Sequence, residues 1–176
     1  MTASRRAVTA LAVVVVLLAG AVVVGGVATW RERSDRSSAA GEDRPPSVAV
    51  QERYGAVLAA ARATATALVN IDYRSPQDSQ DAVAATATGT FLDQYEASSQ
   101  SLVQLVTSFK SVLEGEVVEA AVDDLDADSA TVLVATEGTV SNAQTGEDRQ
   151  ARNFRLYITL VNTDGRWLTN DLEFAG

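Results

Sequence analysis

Two residue types that carry much of enzyme chemistry are missing from this 176-residue chain, which contains no cysteine and no histidine. Without cysteine there is no disulfide, no thiolate nucleophile and no cysteine-ligated metal. Without histidine, the commonest general base and the commonest metal-binding side chain are absent as well. These absences exclude Ser-His and Cys-His catalytic arrangements, and they require the folded part of the chain to be stabilised by packing alone.

Positive charge is also scarce in this chain. It has 14 Lys and Arg residues against 23 Asp and Glu residues, which gives a net charge of −9, and Lys110 is its only lysine. Proteins that bind DNA or RNA need basic surfaces that neutralise phosphates. The sequence therefore predicts no nucleic-acid partner.

What the sequence does contain is one long apolar run, residues 7–30, without a charged residue. Roughly 20 apolar residues cross the core of a bilayer as a helix. We therefore predict an uncleaved transmembrane signal anchor, which makes the bilayer itself a partner of the chain. A cleaved signal peptide is the alternative, because small residues typical of cleavage sites occur at 19–21 and 26–28.

The run divides the chain into four predicted segments: a short cytoplasmic head at 1–6, the anchor at 7–30, a polar linker at 31–46 and an extracytoplasmic domain at 47–176. Lys and Arg are too evenly distributed on the two sides of the anchor to fix its orientation. We favour an N-terminus in the cytoplasm, because the head is short and the acidic domain would not dock on an anionic cytoplasmic leaflet. The expected location is a single-pass position in the cell membrane.

Apolar residues at spacings of three and four predict three helices in the domain. The first runs from Pro46 to about Asn70, and Tyr54 is expected in the core on its apolar face. The second begins at Ser75-Pro76, a favourable helix start, and reaches about residue 87. The third covers residues 91–109.

After Lys110 the apolar period falls to two, which predicts strands. The four predicted strands are 117–122, 130–135, 154–160 and 166–174. An acidic turn at 123–128 and a polar loop at 142–150 separate the first three, and a tight hairpin turn at 162–165 requires a positive φ at Gly165. The predicted fold class is α+β, with about three helices followed by a four-stranded antiparallel sheet.

No pattern in the sequence predicts a catalytic residue, a cofactor site or a metal site. The acidic segment 123–128 lacks the glycine and the terminal glutamate of an EF-hand loop, so a solvated turn is the simpler interpretation. The carboxylate pairs Glu116/Glu119 and Asp171/Glu173 would suit acid–base chemistry only if they faced a cavity. Solubility of strand edges explains them more simply.

Short motifs behind the apolar run give a family resemblance. They are Ile-Asp-Tyr-Arg-Ser at 71–75, the aspartates 78 and 81, Thr-Gly-Thr-Phe-Leu-Asp-Gln-Tyr at 88–95, and Asp-Gly-Arg-Trp-Leu at 164–168. In this order the chain resembles the Mce-associated membrane proteins of actinobacteria. The resemblance implies a cystatin-like or NTF2-like domain with a curved sheet, an accessory role beside Mce lipid-import complexes, and contacts with Mce-complex or permease subunits. It supplies no catalytic residues.

Three functions are compatible with the sequence. The first is an envelope accessory or scaffold protein that binds partners through a sheet face or the first helix. The second is a carrier of lipid or another apolar ligand, and the third is an acid–base enzyme that uses Asp and Tyr. The candidate pocket or partner-face residues are Phe91, Tyr95, Phe154, Tyr157 and Trp167. A filled core would favour the scaffold, an apolar cavity the carrier, and a pocket with a carboxylate of raised pKa the enzyme.

Overall fold

The computed structural model of the protein describes residues 47–146 and 148–175. The predicted head at 1–6, anchor at 7–30 and linker at 31–46 lie outside the described residues. Among the helices that are described, none is both long and apolar enough to cross a bilayer.

The described residues form three helices and one sheet. The helices are α1 (Val48–Leu68), α2 (Pro76–Ala84) and α3 (Gly89–Phe109). The strands are β1 (Ile71–Asp72), β2 (Val112–Leu125), β3 (Ser129–Ser141), β4 (Gln150–Ala151), β5 (Phe154–Thr163) and β6 (Arg166–Phe174). Paired strands are antiparallel, the sheet order is β1-β2-β3-β5-β6, and β4 pairs with β3. The predicted α+β class is confirmed.

The sheet differs from the predicted one at its edges. The two-residue strands β1 and β4 were not predicted, because an apolar period of two cannot be recognised over two residues. Strand β2 is also longer than the predicted 117–122, and it takes in part of the predicted acidic turn. Irregularities in its pairing with β3 fall at Val118 and Asp123, and a β-bulge of this kind breaks the alternation that the prediction used.

The core lies between α1 and one face of the sheet. Val132 and Val134 of β3 are fully buried beside Ile158 of β5, and small residues of α1, including Ala61, let the helix approach them closely. Tyr54 is not in this core, since it is 42% exposed. The prediction was wrong there because Tyr54 lies before Val57, the first buried residue of α1.

The hairpin between β5 and β6 confirms the predicted turn. Asp164 and Gly165 have φ values of 52° and 83°, the left-handed pair that a type I′ turn needs. The Gly165 N–H donates to the Asn162 side-chain oxygen at 3.0 Å, which holds the turn closed. A favourable turn at this point fixes the register of the last two strands.

Buried hydroxyl groups in the core fall into two kinds. The Thr64 and Thr169 hydroxyl oxygens are 2.8 Å apart and fully buried, so they join α1 to β6. The Thr136 hydroxyl is also buried, but it has no hydrogen-bond partner among the described residues. An unpaired buried hydroxyl destabilises a fold, whereas a paired one contributes a small net stabilisation.

This contrast predicts opposite effects for one type of substitution. Thr169→Val should lower the free energy of unfolding by about 1 kcal/mol, because Thr64 loses its partner on β6. Thr136→Val should leave that free energy unchanged or raise it by up to about 1 kcal/mol, because it removes an unpaired polar group at nearly constant volume. Urea unfolding of both variants measures the difference, and equal shifts in one direction would contradict the assignment.

Candidate functional site: a pocket between the helices and two surface clefts

The five aromatic residues predicted for a pocket or partner face lie in separate regions. Phe91 and Tyr95 are neighbours on α3, with ring centroids 6.2 Å apart. Phe154 instead packs edge-to-face against Phe174 on the adjacent strand, at 5.8 Å. The structure therefore brings together Phe91 with Tyr95, and places Phe154 elsewhere.

The other two predicted residues lie further along the sheet. Tyr157 alternates with the buried residues Leu156 and Ile158, so its side chain projects from the opposite face of β5. Trp167 is paired with Asn162 next to the hairpin turn and is half-buried against the core. A role for these residues in binding stays a prediction.

An apolar pocket, partly open to solvent, lies between the end of α1, α2 and α3. We call it the helix cavity; its lining is mainly aliphatic and includes Leu68, Val83, Tyr95, Leu102 and Val106. Its volume is about 40 Å³, whereas pockets for drug-sized ligands are typically about 300–1,000 Å³. The three helices therefore leave little space between them at this point.

Tyr95 is the titratable group in the lining of this cavity. Burial raises the pKa of its hydroxyl to about 12, and the negative charge of Asp81 acts in the same direction. The phenol is therefore protonated at physiological pH. The buried polar residues of the described chain are all Thr, Ser or Asn, so none of them offers a carboxylate as a general base.

The acidic residues considered as alternative sites lie near or at the surface. Glu116 and Glu119 are exposed on β2, while Asp171 and Glu173 are half-buried on β6. Within residues 47–146 and 148–175, no cluster of three or more acidic side chains is arranged to hold a metal ion.

A second concavity, about 340 Å³ in volume, is open to solvent at the edge of the sheet. We call it the polar cleft; its lining includes Arg74, Lys110, Glu114, Asn142 and Arg149. These residues come from the segment after β1, the turn between α3 and β2, strand β2 itself, and the loop between β3 and β4. Since these segments are distant in the sequence, no local motif could have predicted the cleft.

Two ion pairs organise the polar cleft. The Arg74 guanidinium donates to both carboxylate oxygens of Asp72, at 2.9 and 2.6 Å, and these hydrogen bonds hold the pKa of Asp72 below its ordinary value. On the opposite side, Arg149 donates to the Glu114 carboxylate. The Lys110 side chain has no such partner among the described residues.

A third concavity, the sheet-end groove, has a volume of about 390 Å³. Its lining includes Val118, Phe154, Arg155 and Phe174. One residue of the predicted aromatic set therefore lies in a groove large enough for a small ligand, although the groove is open to solvent.

Exposed apolar side chains form two surfaces. The first, which we call the α1 tip, comprises Val48, Val50 and Tyr54. The second, the outer sheet face, includes Val118 and Leu133, and Leu133 is 36% exposed between two buried neighbours on the same strand. Both surfaces face away from the core. They lie on the first helix and on one face of the sheet, where the sequence analysis expects partner contacts, and that expectation stays a prediction.

Solved structures define the class of fold. The periplasmic domain of DotI aligns with a TM-score of 0.57 at 15% identity, over 76% of this chain and 99% of that domain. An IcmL-like type IV secretion system protein from Legionella pneumophila aligns with a TM-score of 0.55 at 14% identity, over 75% and 94%. A ketosteroid isomerase-like protein from Erwinia carotovora gives 0.50 at 24% identity, over 71% and 98%. The domain has the cystatin/NTF2-like α+β fold, with three helices and a curled antiparallel sheet.

Sequence comparison gives the family. Residues 6–176 match the family described as "Uncharacterized protein Rv1363c/MT1408-like", and the chain belongs to it. Uncharacterized protein Rv1363c of Mycobacterium tuberculosis is 26% identical over 97% of this chain and 60% of its own length. Uncharacterized protein Rv1362c of the same species is 32% identical over 67% of this chain and 55% of its own length. The chain thus spans less than two thirds of either relative, and their names carry no function.

Proposed function

We propose that this protein is a membrane-anchored accessory or scaffold protein of the cell envelope, and that it acts by protein–protein contacts. The observation that carries the proposal is the small volume of the helix cavity. At about 40 Å³ it is too small for a lipid or a drug-sized ligand. The proposal therefore assigns binding to the surface of the domain.

The surface supports this proposal in two places. The α1 tip and the outer sheet face both expose apolar side chains. The fully buried centre of a protein–protein interface is more apolar than the rest of the surface, and tyrosine is enriched in interfaces. The similar structures add that this fold serves as the periplasmic domain of DotI and as a type IV secretion system protein. At 14 and 15% identity those likenesses concern the fold alone.

The proposal also includes a cellular location and a set of partners for this protein. We place residues 7–30 in the membrane as a signal anchor and the domain outside the membrane, because the apolar run has the length of a bilayer core. We take Mce-complex or permease subunits as the partners, on the strength of the resemblance of the motifs at 71–75, 88–95 and 164–168. No catalytic role is included, since the chain has no histidine or cysteine.

Binding of a lipid or another apolar ligand is the alternative function. The apolar lining of the helix cavity favours it, together with the protonated Tyr95 hydroxyl, which can donate a hydrogen bond to a ligand oxygen. Such a ligand requires α2 or α3 to move away from α1, since the volume of the helix cavity is only about 40 Å³.

Site-specific photocrosslinking of the full-length protein in its own membranes tests both functions. A crosslinking amino acid is placed at Leu133 on the outer sheet face, at Tyr54 on the α1 tip, and at Glu96, an exposed position on α3, as the matched control. We expect Leu133 or Tyr54, but not Glu96, to capture a transporter subunit, identified by mass spectrometry.

Two other results would count against the proposal. Co-purified lipid without any captured subunit would favour the carrier function. An N-terminal peptide of the recovered protein that begins near Thr29, rather than near Met1, would contradict the anchor.

A further inference from the structure

The polar cleft concentrates positive charge in an acidic protein. The chain carries a net charge of −9, yet Arg74, Lys110 and Arg149 line one cleft of about 340 Å³. Two of these cations are paired: Arg74 with the half-buried Asp72, and Arg149 with Glu114, where both side chains are more than half exposed. The exposed Arg149–Glu114 pair is weak, so an incoming anion can replace the Glu114 carboxylate at little cost.

Lys110 has no ion-pair partner among the residues that the structure describes, and its backbone has an unusual conformation. It ends α3 with φ 50° and ψ 47°, in the left-handed region. The Lys110 N–H donates to the Thr107 carbonyl at 3.2 Å, and the Ser111 N–H donates to the Val106 carbonyl at 2.9 Å. These bonds form the Schellman motif, in which glycine is the usual residue at the left-handed position.

The only lysine of the chain therefore stands where glycine would fit with less strain. A strained backbone at a charged, unpaired side chain points to a use for that side chain. Since the Lys110 ammonium has no carboxylate partner among the described residues, its natural complement is an external anion.

We propose that the polar cleft binds a phosphoryl group. A guanidinium group can donate two hydrogen bonds to phosphate oxygens, and Lys110 supplies a point charge from a third segment of the chain. Both a free phosphate and the phosphodiester of a lipid headgroup carry a phosphoryl group. The inference does not depend on the scaffold function.

Because the chain has one lysine, the test can observe the cleft directly. Reductive methylation with ¹³C-formaldehyde labels Lys110 and the N-terminal amine and preserves the positive charge. Full-length protein in detergent micelles is then titrated with inorganic phosphate. We expect the Lys110 methyl signal to shift in a saturable way, and not to shift with chloride at matched ionic strength. Equal shifts with both salts would overturn the proposal.

Variants of arginine show whether the site has the proposed composition. Arg149→Gln should weaken phosphate binding about tenfold, because a charge-assisted hydrogen bond is lost. Arg62→Gln removes the same charge from an exposed position on α1 and should leave binding unchanged. An equal loss in the two variants would mean that only net charge matters and would overturn the site.

Lys110→Gly separates binding from folding. We expect this variant to melt about 4 °C higher, because the strain is removed, while calorimetry shows that phosphate binding weakens about tenfold. Undiminished binding would exclude Lys110 from the site. Titration with glycerophosphoglycerol, a soluble lipid headgroup, shows whether the bound phosphoryl group comes from a lipid or from free phosphate. Binding as tight as that of phosphate identifies a lipid headgroup as the ligand, and weaker binding identifies a free phosphate.

Discussion

Replacing Gly138 by alanine should lower the free energy of unfolding by about 3 kcal/mol, which is a large part of the stability of a small domain. A Cβ atom at Gly138 would lie 2.5 Å from the Glu114 carbonyl oxygen and 2.8 Å from the Gly115 Cα atom. Both contacts are with backbone of the adjacent strand β2, which cannot move aside without breaking its pairing with β3. Relieving these contacts therefore disrupts the pairing of β2 with β3.

The same region joins the sheet to α1. Gly138 is paired with Gly115, and the Asn70 side chain just after α1 donates to the Gly115 carbonyl at 2.9 Å. Val69 packs against Gly115 so closely that a Cβ there would lie 3.0 Å from its Cγ2 atom. Gly115 thus provides the space in which the end of α1 closes on the sheet, while Gly138 allows the close approach of β3 to β2.

Gly55→Ala is the matched control for this prediction. No atom would lie within 4 Å of a Cβ at Gly55, which stands inside α1. Since alanine is the better helix former, this variant should gain about 0.5–1 kcal/mol. Urea unfolding of the two variants measures both effects. A loss at Gly138 of less than about 1 kcal/mol would contradict the close approach of β2 and β3.

The glycine pair also shows what the sequence could and could not predict about the fold. Helix α3 and the β5–β6 hairpin were predicted nearly in full, because their apolar periods and turn residues are local signals. Gly115 and Gly138 carried a weaker local signal, since glycine inside a strand often marks a close approach. Their pairing depends on the register of β2 against β3, which no local pattern contains.

The candidate sites were predicted less well, for the same physical reason. Aromatic residues were grouped by type, but Tyr157 and Phe154 emerge from different positions and faces of one strand. The polar cleft was not predicted, because Arg74, Lys110 and Arg149 meet only after the chain has folded. The one available signal was that Lys110 is the only lysine.

Ile158→Ala should be the most destabilising truncation on β5, with a loss of about 3–4 kcal/mol in the free energy of unfolding. Ile158 is fully buried and pairs with Val132 on one side and Leu172 on the other, so its side chain is surrounded by the core. Truncation leaves a cavity that the neighbouring strands cannot fill, because both are held to β5 by backbone hydrogen bonds.

Tyr157→Ala is the control, since it removes a larger side chain from the adjacent position on the same strand. Tyr157 lies opposite Leu133 on the outer sheet face, where water can replace the lost contacts. We expect its loss to stay below about 1 kcal/mol in urea unfolding. If Tyr157→Ala is as damaging as Ile158→Ala, the outer sheet face is part of a core and is not free for a partner. If Tyr157→Ala changes stability little but abolishes crosslinking of the partner from position 133, Tyr157 is instead assigned to partner binding.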